Sequence, residues 1–163
     1  MKLISSLQRL KDIGFRHVGE WKLETDKLRC VLTDCEAEVR ILYAFECDGE
    51  ILYIGKSVRS LSKRMYGYQN PGPSQRTNIK ANEPNELIQR ILGEEKIISI
   101  HAFVDTGNLK HGEFRVNLAA GLEDDLIDKL KPVWNKVGLS KSGNKRVQRI
   151  STSLEPDVIR PIS

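Results

Sequence analysis

A hairpin signal between residues 40 and 54 restricts the possible folds of this chain more than any other feature. Segments 40–47 and 50–54 are rich in β-branched and aromatic residues, and Asp48-Gly49 stands between them. Asp-Gly between two such segments is typical of a tight turn that joins antiparallel strands. The sequence therefore predicts a β-hairpin here.

The length of the hairpin connection decides where two of its tyrosines point. A strict two-residue loop would pair Tyr43 with Ile54 and send Tyr53 to the opposite face. An extra residue in the loop, or a bulge, would pair Phe45 with Tyr53 and place both tyrosines on one face. If the tyrosines share a site, the second register is required.

The spacing of apolar residues predicts the remaining elements. Residues 24–39 are acidic and carry no readable pattern. We expect an α/β (α+β) fold, with a small mixed or antiparallel sheet built on a central hairpin and flanked by helices. Helices are predicted at 3–13, 60–68, 83–92 and 119–131, and strands at 15–23 and 96–104.

The length of 163 residues, with 39% hydrophobic and 29% charged residues, is typical of one globular domain. We divide it into a core at 40–135, an N-terminal extension at 1–39 and a basic tail at 136–163. No apolar run is long enough for a membrane span. Ser5 and Ser6 interrupt the apolar start, which argues against a signal peptide and favours a cytoplasmic protein. The three cysteines lack paired zinc-site spacing, so reduced thiols are expected.

Positive charge is concentrated in two segments. Residues 51–80 and residues 131–150 each contain six lysines or arginines and no acid, although the whole chain has a net charge of only +4. Such segregation is compatible with a surface that faces a polyanion, and equally with a solvated basic surface. The candidate contacts to such a polyanion, of which DNA is one, are Lys63, Arg76, Lys141, Lys145 and Arg146.

A second informative element is the helix predicted at 119–131. At 100° per residue, Glu123 lies at the centre of the apolar face, while three acidic neighbours face water. Its apolar companions are Ala119, Leu126, Ile127 and Leu130. A lone carboxylate in such a place is costly unless it is paired, protonated or bound to a cation. Arg64 is one potential partner, and a metal ion is another.

Phosphodiester hydrolysis requires groups of the kind that local structure leaves unexplained here. A carboxylate such as Glu123 can hold a divalent cation that polarises the phosphate, and Arg64 can stabilise charge on its oxygens. A tyrosine can remove a proton from water if its pKa is lowered, for which Lys56 and the metal are candidate causes. Taken singly, each tyrosine would be read as a core aromatic.

The order of these residues resembles the GIY-YIG nuclease family. The match covers about residues 40–135, with an insertion at 69–95. Its parts are Ile41-Leu42-Tyr43, Tyr53-Ile54-Gly55-Lys56-Ser57, Arg64, Tyr68, Glu123, Pro132 and Asn135. The first motif has Ile41-Leu42 in place of Gly-Ile, and Tyr68 replaces the commoner histidine.

The resemblance implies a role for each matched residue. Tyr43 would be the general base, Glu123 would hold one divalent metal ion, Mg²⁺ or Mn²⁺, and Arg64 would bind the phosphate. The supporting residues would be Tyr53, Lys56 and Tyr68 at the reacting groups, with Gly55 and Asn135 ordering the site.

The function implied by this resemblance is a metal-dependent DNA endonuclease, most similar to stand-alone restriction enzymes of the family. Duplex DNA would be the partner, and a homodimer is compatible with the resemblance. Two alternatives stay open at this point. One is a structure-specific DNA repair nuclease, and the other is a catalytically silent nucleic-acid-binding domain.

Overall fold

The computed structural model describes residues 3–72 and 79–135, with the backbone alone for 79–83. Within these residues no helix is long and apolar enough to cross a membrane. The helices are α1 (Ser6–Asp12), α2 (Leu61–Gln69), α3 (Ile79–Gly93) and α4 (Leu118–Leu130). The strands are β1 (Arg16–Glu24), β2 (Lys27–Leu32), β3 (Ile41–Cys47), β4 (Glu50–Ser57), β5 (Ile98–Val104), β6 (Lys110–His111) and β7 (Phe114–Arg115).

Five strands form one antiparallel sheet in the order β2-β1-β5-β3-β4, and β6 pairs with β7 separately. This confirms the predicted fold class and the predicted hairpin, which is β3–β4. The hairpin forms one side of the sheet rather than its centre, because β5 pairs with both β1 and β3. Strand β4 is therefore an edge strand.

Strand β2 lies within residues 24–39, for which no pattern predicted an element. It follows β1 through a turn at Thr25 and Asp26, whose φ angles are 47° and 61°. Two positive φ values are typical of a type I′ hairpin turn, which usually contains Gly or Asn. The turn contains no glycine, and so the sequence signal for this hairpin was weak.

The register of the β3–β4 hairpin places Tyr43 and Tyr53 on the same face of the sheet. Asp48 and Gly49 form a tight turn with positive φ angles of 53° and 85°. A bulge at Leu52 then shifts the pairing, so that Phe45 lies opposite Tyr53. The prediction of an extra residue is confirmed.

Helix α3 begins earlier than predicted. Its backbone is helical from Ile79, and Pro84 lies inside the helix instead of opening it. A proline at that position removes one helical N–H donor, yet the helix continues through it. The sequence prediction depended on apolar residues that recur only from Leu87 onwards. The other predicted helices and strands are confirmed to within about three residues.

Both faces of the sheet are covered, which produces two apolar cores. Helices α2 and α3 contribute to the first core and α1 and α4 to the second. Because side chains alternate along a strand, β3 sends Tyr43 and Phe45 into the first core and Leu42 and Ala44 into the second.

Phe45 is the centre of the first core. Its ring centroid lies 5.6 to 5.7 Å from the rings of Trp21, Tyr43, Tyr53 and Tyr68. Aromatic pairs at such distances contribute stability beyond the area that they bury. The positions of the three tyrosines therefore depend on this one fully buried side chain.

We predict that Phe45→Ala lowers the free energy of unfolding by about 3–5 kcal/mol, because it leaves a cavity under four aromatic rings. Urea unfolding measures the change. Phe114→Ala is the matched control, since the same truncation at a side chain that is 70% exposed should cost about 0.5 kcal/mol or less. Equal losses in the two variants would contradict the assigned core.

Candidate active site

Three tyrosine hydroxyls meet beside one arginine. Tyr43 comes from β3, Tyr53 from β4, and Tyr68 from α2. The hydroxyl oxygens of Tyr43 and Tyr68 lie 2.6 Å apart, and the Tyr68 hydroxyl donates to that of Tyr53 at 3.4 Å. We call Tyr43, Tyr53, Tyr68 and Arg64 the phenol cluster.

Arg64 holds the phenol cluster together electrostatically. Its Nε donates to the Tyr43 hydroxyl at 2.9 Å, and one terminal nitrogen donates to the Tyr68 hydroxyl at 3.0 Å. The guanidinium carbon also lies 4.9 Å from the centre of the Tyr68 ring. The two residues are one helical turn apart on α2, as their spacing predicted. A guanidinium has five N–H groups, so these two bonds use only part of its donor capacity.

Burial makes the phenols weak acids. It raises the pKa of Tyr43, Tyr53 and Tyr68 well above the usual tyrosine value, although the charge of Arg64 opposes the shift. Tyr43 has no exposed surface, whereas Tyr53 is half-buried. None of these three phenols has a lowered pKa, and the Lys56 ammonium pairs with Glu123 rather than with a tyrosine.

The Tyr43 side chain packs directly against Gly55 on the neighbouring strand. The two residues are direct cross-strand partners. A Cβ atom added at Gly55 would lie 2.5 Å from the Tyr43 hydroxyl and 2.6 Å from the ring carbon that bears it. Any larger residue would therefore push the phenol away from Arg64.

Glu123 and Lys56 form a second group, on the other face of the hairpin. The Lys56 Nζ lies 2.7 Å from the Glu123 Oε2, and the exposed side-chain fractions are 49% and 15%. This hydrogen bond raises the pKa of Lys56. The half-buried position of Glu123 on the apolar face of α4 is as predicted, but its partner is Lys56 rather than Arg64.

The edge strand β4 connects the two groups. On this strand, Tyr53 and Gly55 lie on the side of the phenol cluster, while Lys56 faces α4. The charge of Glu123 nevertheless acts on Tyr53 and contributes to its raised pKa, after burial and Tyr68. Carboxylate and phenols thus lie on two sides of one exposed strand, close enough to interact.

Asn135 satisfies the backbone hydrogen-bonding groups of Ile54 on the outer edge of β4. Its side-chain oxygen accepts from the Ile54 N–H at 2.9 Å, and its side-chain nitrogen donates to the Ile54 carbonyl at 2.8 Å. The side chain thus takes the place of a neighbouring strand at a position between Tyr53 and Gly55. Asn135 therefore orders the backbone of β4 beside the phenol cluster.

The sequence did not single out Asn85 on α3. This buried side chain donates to the backbone carbonyl of Tyr68 at 2.6 Å and accepts from Gln89. It fixes the end of α2 directly behind the phenol cluster. A single asparagine in a polar helix start carries no sequence signal for such a contact.

Glu123 is the one predicted metal ligand. Within the described part of the chain, no three His, Cys, Asp or Glu side chains are grouped to hold a metal ion, and the three cysteines form no disulfide. A carboxylate oxygen suits Mg²⁺ or Mn²⁺, and Mg²⁺ is commonly bound by one or two carboxylates together with water and substrate phosphate. The donor set therefore fits such an ion only if other ligands come from outside the protein.

Of the predicted DNA contacts, Lys63 lies exposed on α2, next to Arg64. The other four fall outside the residues that the structure describes. They are Arg76, Lys141, Lys145 and Arg146.

We predict that Gly55→Ala lowers the free energy of unfolding by about 1–3 kcal/mol, because the added methyl group overlaps the Tyr43 hydroxyl. Gly67→Ala on α2 is the matched control. Nothing lies within 4 Å of its added Cβ, so this helical substitution should be neutral or stabilising. Chemical denaturation distinguishes the two, and equal stability of both variants would contradict the close approach.

The buried phenols also predict how stability depends on pH. An unfolded tyrosine ionises near pH 10, whereas the folded phenols keep their protons at higher pH. Above about pH 10 the folded state binds more protons than the unfolded state, so the free energy of unfolding falls as pH rises. The limiting slope is about 1.4 kcal/mol per pH unit for each such tyrosine.

Tyr43→Phe should reduce the slope of this decline by about the amount that one tyrosine contributes, because the variant lacks one of the buried phenols. Urea unfolding at a series of pH values above about pH 10 measures the slope. An unchanged slope in the variant would show that Tyr43 ionises normally in the folded protein.

Two solved structures resemble this chain in fold to different degrees. A mutant of bacteriophage T4 EndoII superposes with a TM-score of 0.59 at 19% identity, covering 80% of this chain and 98% of that chain. The restriction endonuclease HPY188I in complex with product DNA gives a TM-score of 0.46 at 21% identity, covering 80% and 89%. No protein-family model and no curated protein matches the sequence. The first comparison shows that this chain shares the fold of EndoII.

Proposed function

We propose that this protein is a DNA endonuclease that hydrolyses phosphodiester bonds with the help of a divalent metal ion. The observation that carries this proposal is the placement of Arg64 and three phenols on one side of β4, with Glu123 on the other side. Its fold is that of bacteriophage T4 EndoII, a name that denotes an endonuclease.

Arg64 is suited to bind the reacting phosphate. Hydrogen bonds to Tyr43 and Tyr68 hold its guanidinium in place. Arg64 is an exposed residue, so the remaining N–H groups of the guanidinium can reach phosphate oxygens. Guanidinium groups bind phosphate in a fixed fork geometry. A pre-oriented cation of this kind stabilises charge that develops in the transition state, without reorganisation at the moment of reaction.

The phenol cluster is our candidate for the group that accepts a proton from water, and only an ionised phenol can do so, because burial keeps the phenols protonated in the protein without DNA. Arg64 donates directly to the Tyr43 hydroxyl, so the ionised form of Tyr43 is the form that Arg64 favours. The hydroxyl contacts of Tyr68 and Tyr53 connect this buried oxygen with the half-buried end of the cluster. Tyr43 is thus our candidate base, with Tyr53 as the phenol nearest to the surface.

Glu123 would hold the metal ion, which when bound supplies Lewis acidity at a phosphate oxygen. Lys56 lies against the same carboxylate and adds a further cation at this side of β4. Lys63 extends the positive surface next to Arg64. Arg64, Lys63 and Lys56 would thus offer positive charge to the phosphates of a DNA backbone.

We predict that the purified protein converts supercoiled circular DNA to open or linear forms in Mg²⁺, and that EDTA prevents this. Glu123→Gln keeps the shape of the side chain and removes its charge, so cleavage should fall at least about a hundredfold. Gel analysis of the DNA measures the rate.

Asp125→Asn on the same helix is the matched control. Asp125 is exposed and pairs with Lys129, away from Lys56, so this variant should cut at about the parent rate. Cleavage that survives Glu123→Gln would refute the role of the carboxylate. Salt-sensitive DNA binding without any cleavage by the parent protein would indicate a silent binding domain.

The products also test the finer hypothesis of a restriction enzyme. Discrete, reproducible fragments from long duplex DNA would support sequence-specific cutting. Cutting confined to branched or flap substrates would contradict it and indicate a structure-specific repair nuclease.

A further inference from the structure

We infer that Lys56 competes with the divalent metal ion for the Glu123 carboxylate, and that it releases the carboxylate when a DNA phosphate reaches the site. This inference rests on the proposed function and adds an order of events to it. Lys56 would act as an internal cation that the metal ion displaces from Glu123, in addition to any contact with DNA.

The first observation is the composition of the ligand set. Among the residues that the structure describes, Glu123 belongs to no group of three or more His, Cys, Asp or Glu side chains that could hold a metal ion. A small divalent cation needs about six oxygen ligands, and one carboxylate supplies at most two. Most of the remaining ligands would then be water and oxygens of the substrate, so affinity in the absence of DNA should be low.

The second observation is the ion pair itself. The Lys56 ammonium lies 2.7 Å from the Glu123 Oε2, on a carboxylate that is only 15% exposed. The same ammonium also interacts with the charge of Asp124. A metal ion that approaches Glu123 must therefore compete with a cation that is already in contact with it.

The negative charge of DNA would favour the metal ion over Lys56 in this competition. The Glu123–Lys56 pair is neutral, and an added divalent cation would leave a large positive charge within a few ångströms of the ammonium. A phosphate arriving with the metal ion supplies negative charge and further oxygen ligands. Lys56 is about half exposed and has a flexible stem, so its ammonium can move from the carboxylate to the phosphate.

The test is Mn²⁺ binding, followed by the electron paramagnetic resonance signal of the free ion. It is measured on the full chain, with and without sheared duplex DNA, and the Mn²⁺ bound by DNA alone is subtracted. For the parent protein we expect binding at least about tenfold tighter with DNA than without it.

Lys56→Met removes the competing cation and should tighten Mn²⁺ binding without DNA by about fivefold. Lys129→Met is the matched control, because it removes the ammonium of an exposed pair with Asp125 on the same helix and should leave the affinity unchanged. Glu123→Gln should abolish the protein-dependent binding in every condition. Lys56→Gln repeats the test if the methionine variant does not fold.

Equal Mn²⁺ affinity with and without DNA, or unchanged or weaker binding in Lys56→Met without DNA, would overturn the inference. The readout does not require cleavage, so it separates this inference from the proposed function. The expected Mn²⁺ pattern in a protein that cuts no DNA would refute the nuclease proposal and leave the exchange at Glu123 standing.

Discussion

The rest of the site depends on one extra residue in an edge strand. The bulge at Leu52 places Phe45 opposite Tyr53, and so directs Tyr53 to the face that already holds Tyr43. Without it, every later side chain of β4 would exchange faces. The bulge thereby decides that Gly55 lies beneath Tyr43 and that Lys56 meets Glu123.

The two faces of β4 provide different chemistry. On one face, Phe45 and the helices exclude water from the phenols, which strengthens their hydrogen bonds to Arg64. On the other face, α4 carries a half-buried carboxylate whose charge Lys56 balances. Because β4 is an edge strand, both groups lie beside the same edge of the sheet, where Asn135 satisfies the backbone of Ile54.

Much of this arrangement was predictable from local sequence signals. Asp48-Gly49 indicated the hairpin, the spacing of Arg64 and Tyr68 indicated a shared helix face, and helical periodicity placed Glu123 on the apolar side of α4. Pairings between distant segments carried no local signal, and so Lys56 as the partner of Glu123 and Asn85 behind Tyr68 came only from the structure. The raised tyrosine pKa values follow from burial, which depends on packing of the whole chain.

The most direct test of the account is a crystal structure of the Glu123→Gln variant bound to duplex DNA. The account predicts one phosphate at the β4 edge, with the Arg64 guanidinium on its oxygens and the side chain at position 123 facing it. The Lys56 ammonium should then contact a phosphate oxygen. DNA bound on another surface, with Arg64 still turned only to the tyrosines, would contradict the central claim that the two faces of β4 form one active site.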